Sequence, residues 1–158
     1  MWMTLAGLFV VSFGALLFIG SEIYRQMPPM PLQVVDQSGN VLYTKDQIQT
    51  GRQVWQTMGG QEVGSIWGHG AYVAPDWSAD WLHREASTLL EQFAAQEHQT
   101  DVKDLTPRQL ASLQARLKAE MRTNSYDPVS QTLTVSDQRA KAIQKVHRHY
   151  RDLFGNDA

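Results

Sequence analysis

The first charged side chain in this sequence is Glu22. Ahead of it, from Trp2 to Gly20, runs an apolar stretch with no Asp, Glu, Lys or Arg. A helix rises about 1.5 Å per residue, so about 20 such residues cross the ~30 Å hydrocarbon core of a bilayer. Two other readings compete. A buried core helix would be shorter and apolar on one face. A signal peptide would begin with basic residues and end in a small-residue cleavage site. Neither Lys nor Arg precedes the run, and Gly20, Ser21 and Glu22 make a poor cleavage site. The expectation is a transmembrane anchor over residues 1–24. Thr4, Gly7, Ser12 and Gly14 are residue types that membrane helices often place where they touch other helices; ordinary helix composition explains them equally well.

The polar mass lies after this run. Its 14 basic and 16 acidic residues give a net charge of -2, so no basic field points to nucleic acid. The chain has no cysteine. Disulfides, thiolate metal sites, thiol nucleophiles and covalent c-type haem are excluded together. Arg25 follows the apolar run, and positive-inside counting alone would put the polar part in the cytoplasm. One arginine decides little, because long polar domains translocate regardless of charge.

Residues 25–43 read as a strap and a hairpin. Gln26, Met27, Pro28, Pro29, Met30 and Pro31 favour an extended, polyproline-like path that keeps the next domain close to the anchor. Val34 to Tyr43 reads as a short hairpin turning at Ser38, Gly39 and Asn40. Thr44 with Gln47 is a capping box opening a helix to about Met58, with Ile48, Val54, Trp55 and Met58 on its expected buried side. Gly59 to Pro75 is glycine-rich and follows no helical or strand period; it is a structured loop long enough to carry function. A helix then starts near Asp76 or Ser78 and runs to about Glu97, with Trp81, Leu82, Ala86, Leu89, Leu90, Phe93 and Ala94 on a broad apolar face. Thr106, with Pro107 at the first helical position, opens another helix carrying Leu110, Leu113, Leu117 and Met121. Pro128 to Val135 suggests a further strand region. Ser136 caps a last helix, with Ala140, Ile143, Val146, Tyr150 and Phe154 inward. The fold class expected is mainly α with minor β-hairpin: an anchor, then a helical domain over residues 44–158. A chain that stops just past a helix, with no second membrane span, is expected to be a fragment.

Few residues offer chemistry of their own. His147 and His149 are two apart, so a helix turns them to different faces and they cannot chelate together. His83 has Glu85 nearby in sequence, and His98 sits at a helix end where a cation suits the dipole. No protein-only zinc site is expected. Glu62 is the one acid in the glycine-rich loop; it could relay a proton or simply cap the surface. No nucleophile elbow or phosphate loop appears. Trp67, Tyr72, Trp77 and Trp81 are dense in sequence. Aromatics with a polar handle collect at membrane interfaces, and also in ordinary cores.

Gly51, Arg52, Gln53, Val54 and Trp55, then the run from Gly59 to His83, resemble quinol-dependent nitric oxide reductase. The same run is similar to the cytochrome c subunit of the cytochrome-dependent enzymes. That subunit reads Gly-x-x-x-Trp, then Cys-x-x-Cys-His-Thr, then Leu-Gly-x-Gly-Ala-Tyr-x-Ala-Pro. On this chain the two cysteines and the histidine fall at Gly60, Val63 and Gly64, with Ser65 in the threonine place. Gly68, Gly70, Ala71, Tyr72, Ala74 and Pro75 keep the pattern. The motif match covers some 30 residues, and the order of elements extends the likeness over nearly the whole chain.

The resemblance implies a cytochrome-c-like helical domain without haem. Two thiols and an axial imidazole are needed for covalent haem, and glycine and valine supply neither. It implies a part of a respiratory enzyme reducing nitric oxide to nitrous oxide and water, with a membrane quinol as donor. The domain would cap a catalytic multi-helix membrane region, periplasmic, on a single-pass anchor in the bacterial inner membrane. Haem b, haem b3 and non-haem iron would belong to that region, and no catalytic residue falls on this chain. Main-chain oxygens of Gly70 and Tyr72 would help hold an interfacial calcium ion. The competing reading is a single-pass anchored adaptor or ligand-binding module with no redox role.

Overall fold

Local capping chemistry sets where the helices begin. The computed structural model describes residues 2–155. The first helix, α1, spans Trp2–Gln26. It is long and apolar enough to cross a membrane, and none of its residues is buried. It runs two residues beyond the expected anchor end. Residues up to Met30 form one unit and those from Pro31 onward another.

The second unit begins with β1 (Gln33–Val35) and β2 (Val41–Thr44), an antiparallel hairpin. Its turn falls where Ser38, Gly39 and Asn40 predict it. The Asp36 carboxylate accepts from the Ser38 and Asn40 amides at 2.9 and 2.8 Å, and Gly39 supplies φ +85°. Thr44 then caps α2 (Lys45–Thr57) with the full capping box to Gln47. The apolar side expected on α2 is not buried: Val54 is 47% and Met58 79% exposed, while Ile48 and Trp55 are half-buried. A 3-10 turn over Gly60–Glu62 and a ladder of β3 (Ser65–Ile66) with β4 (His69–Gly70) follow.

Asp76 caps α3 (Trp77–His98) by accepting from the Ala79 amide at 2.9 Å. Thr106 and Gln109 form a second capping box on α4 (Pro107–Arg122). After β5 (Tyr126–Asp127) and β6 (Thr132–Thr134), Ser136 receives the Arg139 amide at 3.1 Å and opens α5 (Asp137–Gly155). The strand order is β2-β1-β6-β5. β1 and β6 are parallel, with Gln33 facing Thr132 and Val35 facing Thr134. The hairpin is thus built into the sheet of the domain that follows it, a joining that local periodicity does not announce.

Helices α3, α4 and α5 meet at Leu89, Phe93, Ala94, Leu113 and Ala142, all fully buried. The Arg116 guanidinium lies 3.9 Å from the Phe93 ring centroid, closing the core edge with a cation–π contact. A second cluster, Val34, Val135, Ala140 and Ile143, joins the sheet to α5. Of the residues expected inward on α5, Ala140, Ile143 and Val146 are buried, whereas Phe154 is 59% exposed. Leu82, expected on the α3 face, is 41% exposed. In its place the helix buries Glu85, 3% exposed, whose carboxylate accepts from Arg139 Nε at 2.7 Å and Trp81 Nε1 at 3.2 Å. A buried carboxylate needs such partners, because desolvation without them costs several kcal/mol. That carboxylate also acts on Tyr43, whose hydroxyl is pushed up first by burial and second by the Glu85 charge.

Candidate functional site

The glycine-rich loop is fixed by one carboxylate and by two indoles. Asp76 Oδ2 accepts from the Ser65 hydroxyl at 2.7 Å and from the Gly68 amide at 2.8 Å. Together with the Ala79 amide these donors hold the Asp76 carboxyl below its usual range, the Ser65 hydroxyl contributing most. Ser65 N donates to Pro75 O at 2.9 Å, and Trp67 N to the Ser78 hydroxyl at 2.9 Å. The loop therefore closes onto the first turn of α3. Trp67 and Gly68 form its tip with φ of +53° and +74°, the two positive values a type I′ turn needs.

Gly60 and Gly64 are both buried. A Cβ at Gly60 would stand 2.3 Å from Trp55 Cδ2, and one at Gly64 would stand 2.0 Å from Trp77 Nε1. Indole rings therefore fill the space where side chains would project from these two backbone positions. Val63, between them in sequence, is 57% exposed. Neither thiol nor imidazole is present at the three places, and no side chain fits at two of them. The loop does not fit covalently held haem.

Gly70 has φ +145°, and a Cβ there would meet Gly64 O at 2.2 Å, a backbone atom that cannot swing aside. Ile66 pairs with His69 across the turn, and Ala71 N reaches Gly64 O at 3.3 Å. The pair between them, Ser65 with Gly70, is the non-hydrogen-bonded rung, so the Gly70 carbonyl is directed away from β3. Tyr72 and Val73 stand fully in solvent at 97% and 101% exposure. Two main-chain oxygens are a minority of the six to eight or so that calcium takes. Among the described residues no three His, Cys, Asp or Glu side chains stand together as a metal site. The main-chain oxygens of Gly70 and Tyr72 fit calcium as part of its shell, not as the whole of it.

The four aromatics that are dense in sequence separate in space. Trp67 is 74% exposed at the loop tip, with Tyr72 beyond it. Trp77 and Trp81 turn inward to α5. The Trp81 ring stacks on Tyr150 at 5.5 Å between centroids, and Trp77 meets Phe154 edge-on at 5.6 Å. Tyr150 donates its hydroxyl to Asp80 Oδ2 at 2.5 Å, and Arg84 Nε reaches the same oxygen at 2.6 Å.

Residues 31–158 match the family described as the NorB cytochrome c-like domain of nitric oxide reductase. The chain belongs to this family. No curated protein matches it. The expected relation to nitric oxide reductase therefore holds, and so does the mainly helical, cytochrome-c-like class with its apolar N-terminal helix. Within this domain of the nitric oxide reductase family no three histidines gather among the described residues. His147 Nδ1 meets the Tyr43 hydroxyl at 2.9 Å, and His98 Nδ1 meets Gln109 Nε2 at 3.3 Å. His83 and His149 line one groove between α3 and α5. Glu62 is exposed on the 3-10 turn. Sequence reasoning gave Trp55 no role at the loop, took Asp76 for no more than a helix start and missed the burial of Glu85. The signal for Asp76 was an acid directly ahead of a tryptophan-rich helix, with a serine eleven positions upstream to bind it.

Proposed function

We propose that this chain is the haem-free, extramembrane cap of a quinol-dependent nitric oxide reductase, which reduces two nitric oxide molecules to nitrous oxide and water. The observation that carries the reading is the filled loop. Trp55 and Trp77 occupy the space over Gly60 and Gly64, so the domain lacks the means to take an electron from a soluble cytochrome. A donor dissolved in the membrane, a quinol, reaches the catalytic helices without passing through the cap. The haems and non-haem iron belong to those helices, on a separate stretch of polypeptide. The apolar helix α1 suits an anchor in the bacterial inner membrane with the domain in the periplasm. The exposed Gly70–Tyr72 backbone is suited to share a calcium ion with the catalytic region, and Trp67, Tyr72 and Val73 are suited to face it.

The test is made on the enzyme purified with its catalytic helices. A pyridine haemochrome spectrum should show b-type haem alone, and reduced quinol should support nitric oxide consumption where reduced cytochrome c does not. Calcium should be present, and Gly70→Val should lower its content. A c-type band, turnover on cytochrome c without quinol, or activity of this chain in the absence of any multi-helix partner would each sink the reading.

A further inference from the structure

An open groove runs between edge strand β2 and α5, well away in sequence from the glycine-rich loop. Val41, Tyr43, Gln144, His147, Arg148 and Arg151 are among its lining residues. No carboxylate lines it. Arg148 makes no hydrogen bond or ion pair with a described residue, and Arg151 has only its chain neighbour Asp152 at 3.8 Å, with both side chains well exposed. Such a pair contributes little and leaves the guanidinium free to turn to a ligand.

The only charged side chains lining the groove are the two guanidiniums, and each of its other polar side chains carries at least one donor hydrogen. The Tyr43 hydroxyl and His147 Nδ1 share a hydrogen bond at 2.9 Å, which holds the imidazole in place at the groove wall. Two guanidiniums, an imidazole and the Gln144 amide line a surface that also offers bare hydrocarbon: Val41 is 52% exposed, and Ile143 forms part of the wall. A planar guanidinium binds a phosphate through two parallel hydrogen bonds. Cationic donors next to apolar surface suit a ligand with both characters. The five residues Met27–Pro31 join the domain to a helix apolar enough to enter a bilayer, so lipid is held at high effective concentration.

We infer that the groove between β2 and α5 binds the headgroup phosphate of an anionic phospholipid, with Arg148 and Arg151 on the phosphate oxygens and Val41 against the glycerol and the first acyl carbons. The inference does not depend on the reaction the enzyme performs.

The full chain in a neutral sugar detergent is titrated with dihexanoyl phosphatidylglycerol, followed by nuclear magnetic resonance of the His147 and arginine side chains. Saturable binding is expected, falling at least tenfold in the Arg148→Gln/Arg151→Gln double variant and unchanged in Lys141→Gln, an exposed position outside the groove. Raising the salt should weaken binding, as screening of exposed charges requires. Circular dichroism melting checks that the double variant is folded. Dihexanoyl phosphatidylcholine should bind more weakly, because its ammonium opposes the guanidiniums. Inorganic phosphate binding as well as the lipid, a polyglutamate peptide binding where the lipid does not, or the double variant binding like the parent would each overturn the assignment.

Discussion

The α3–α4–α5 core and the Gly59–Asp76 loop are held by opposite kinds of force. In the core, contact between apolar side chains does the holding, and Phe93 sits fully buried at its centre. In the loop almost nothing large and apolar is buried. Its shape comes from missing Cβ atoms at Gly60, Gly64 and Gly70 and from the donors gathered on Asp76. A core tolerates exchanges that conserve volume, because dispersion and hydration do not depend on fine geometry. A loop built on close backbone approach tolerates almost none. The difference suits a domain of this family: a robust body, and one surface whose backbone is set in place.

The contrast can be broken at its strongest point first. Phe93→Ala should cost about 3–5 kcal/mol, the range for removing a fully buried phenyl ring, with the whole Pro31–Gly155 domain melting earlier in circular dichroism. Local damage alone would show that the core is not the common support. Gly64→Ala should cost less, roughly 1–3 kcal/mol of overpacking, because the Trp77 indole must leave its seat and the Pro75 carbonyl must give way. Its signature is altered tryptophan fluorescence while the helical signal is kept. A variant as stable as the parent with unchanged fluorescence would mean that the loop has room to spare.

The smallest effect probes the polar latch beside Trp77. The Tyr150 hydroxyl is pushed up to about 12, by burial first and by its hydrogen bond to Asp80 second. An unfolded tyrosine loses its proton near 10, so the folded state holds a proton that the unfolded state has released. The stability from this group is present below about pH 10 and drains away as pH rises toward 12. Tyr150→Phe should flatten that alkaline slope in urea unfolding, leaving the part due to Tyr43, whose hydroxyl is raised as well. An unaltered slope would remove Tyr150 from the account.

What was legible in the sequence follows the range of the forces. Thr44 with Gln47, Thr106 with Gln109, and Ser136 announce their helices because a cap is a contact across three residues. The turn at Ser38, Gly39 and Asn40 was readable for the same reason. The unburied side of α2 was not readable, because Val54 and Met58 have the right spacing and simply lack, among the described residues of their unit, a neighbouring element to cover them. The three positions Gly60, Val63 and Gly64 stood out by resemblance. Only the fold shows why two of them are glycine: Trp55 and Trp77 approach from opposite sides along the chain. Glu85 was invisible as a buried charge because its partner Arg139 lies 54 residues away. The parallel match of β1 with β6 was hidden by the same kind of distance, since nothing in Gln33–Val35 names Thr132–Thr134 as its neighbour.

That last match bears on how the polypeptide is made. β1 is among the first segments of the domain to be synthesised, yet one of its two edges has no partner until about a hundred further residues have been added. Closing so large a loop delays assembly, and a bare strand edge is sticky while it waits. That edge stays open to other strands until β6 arrives to cover it.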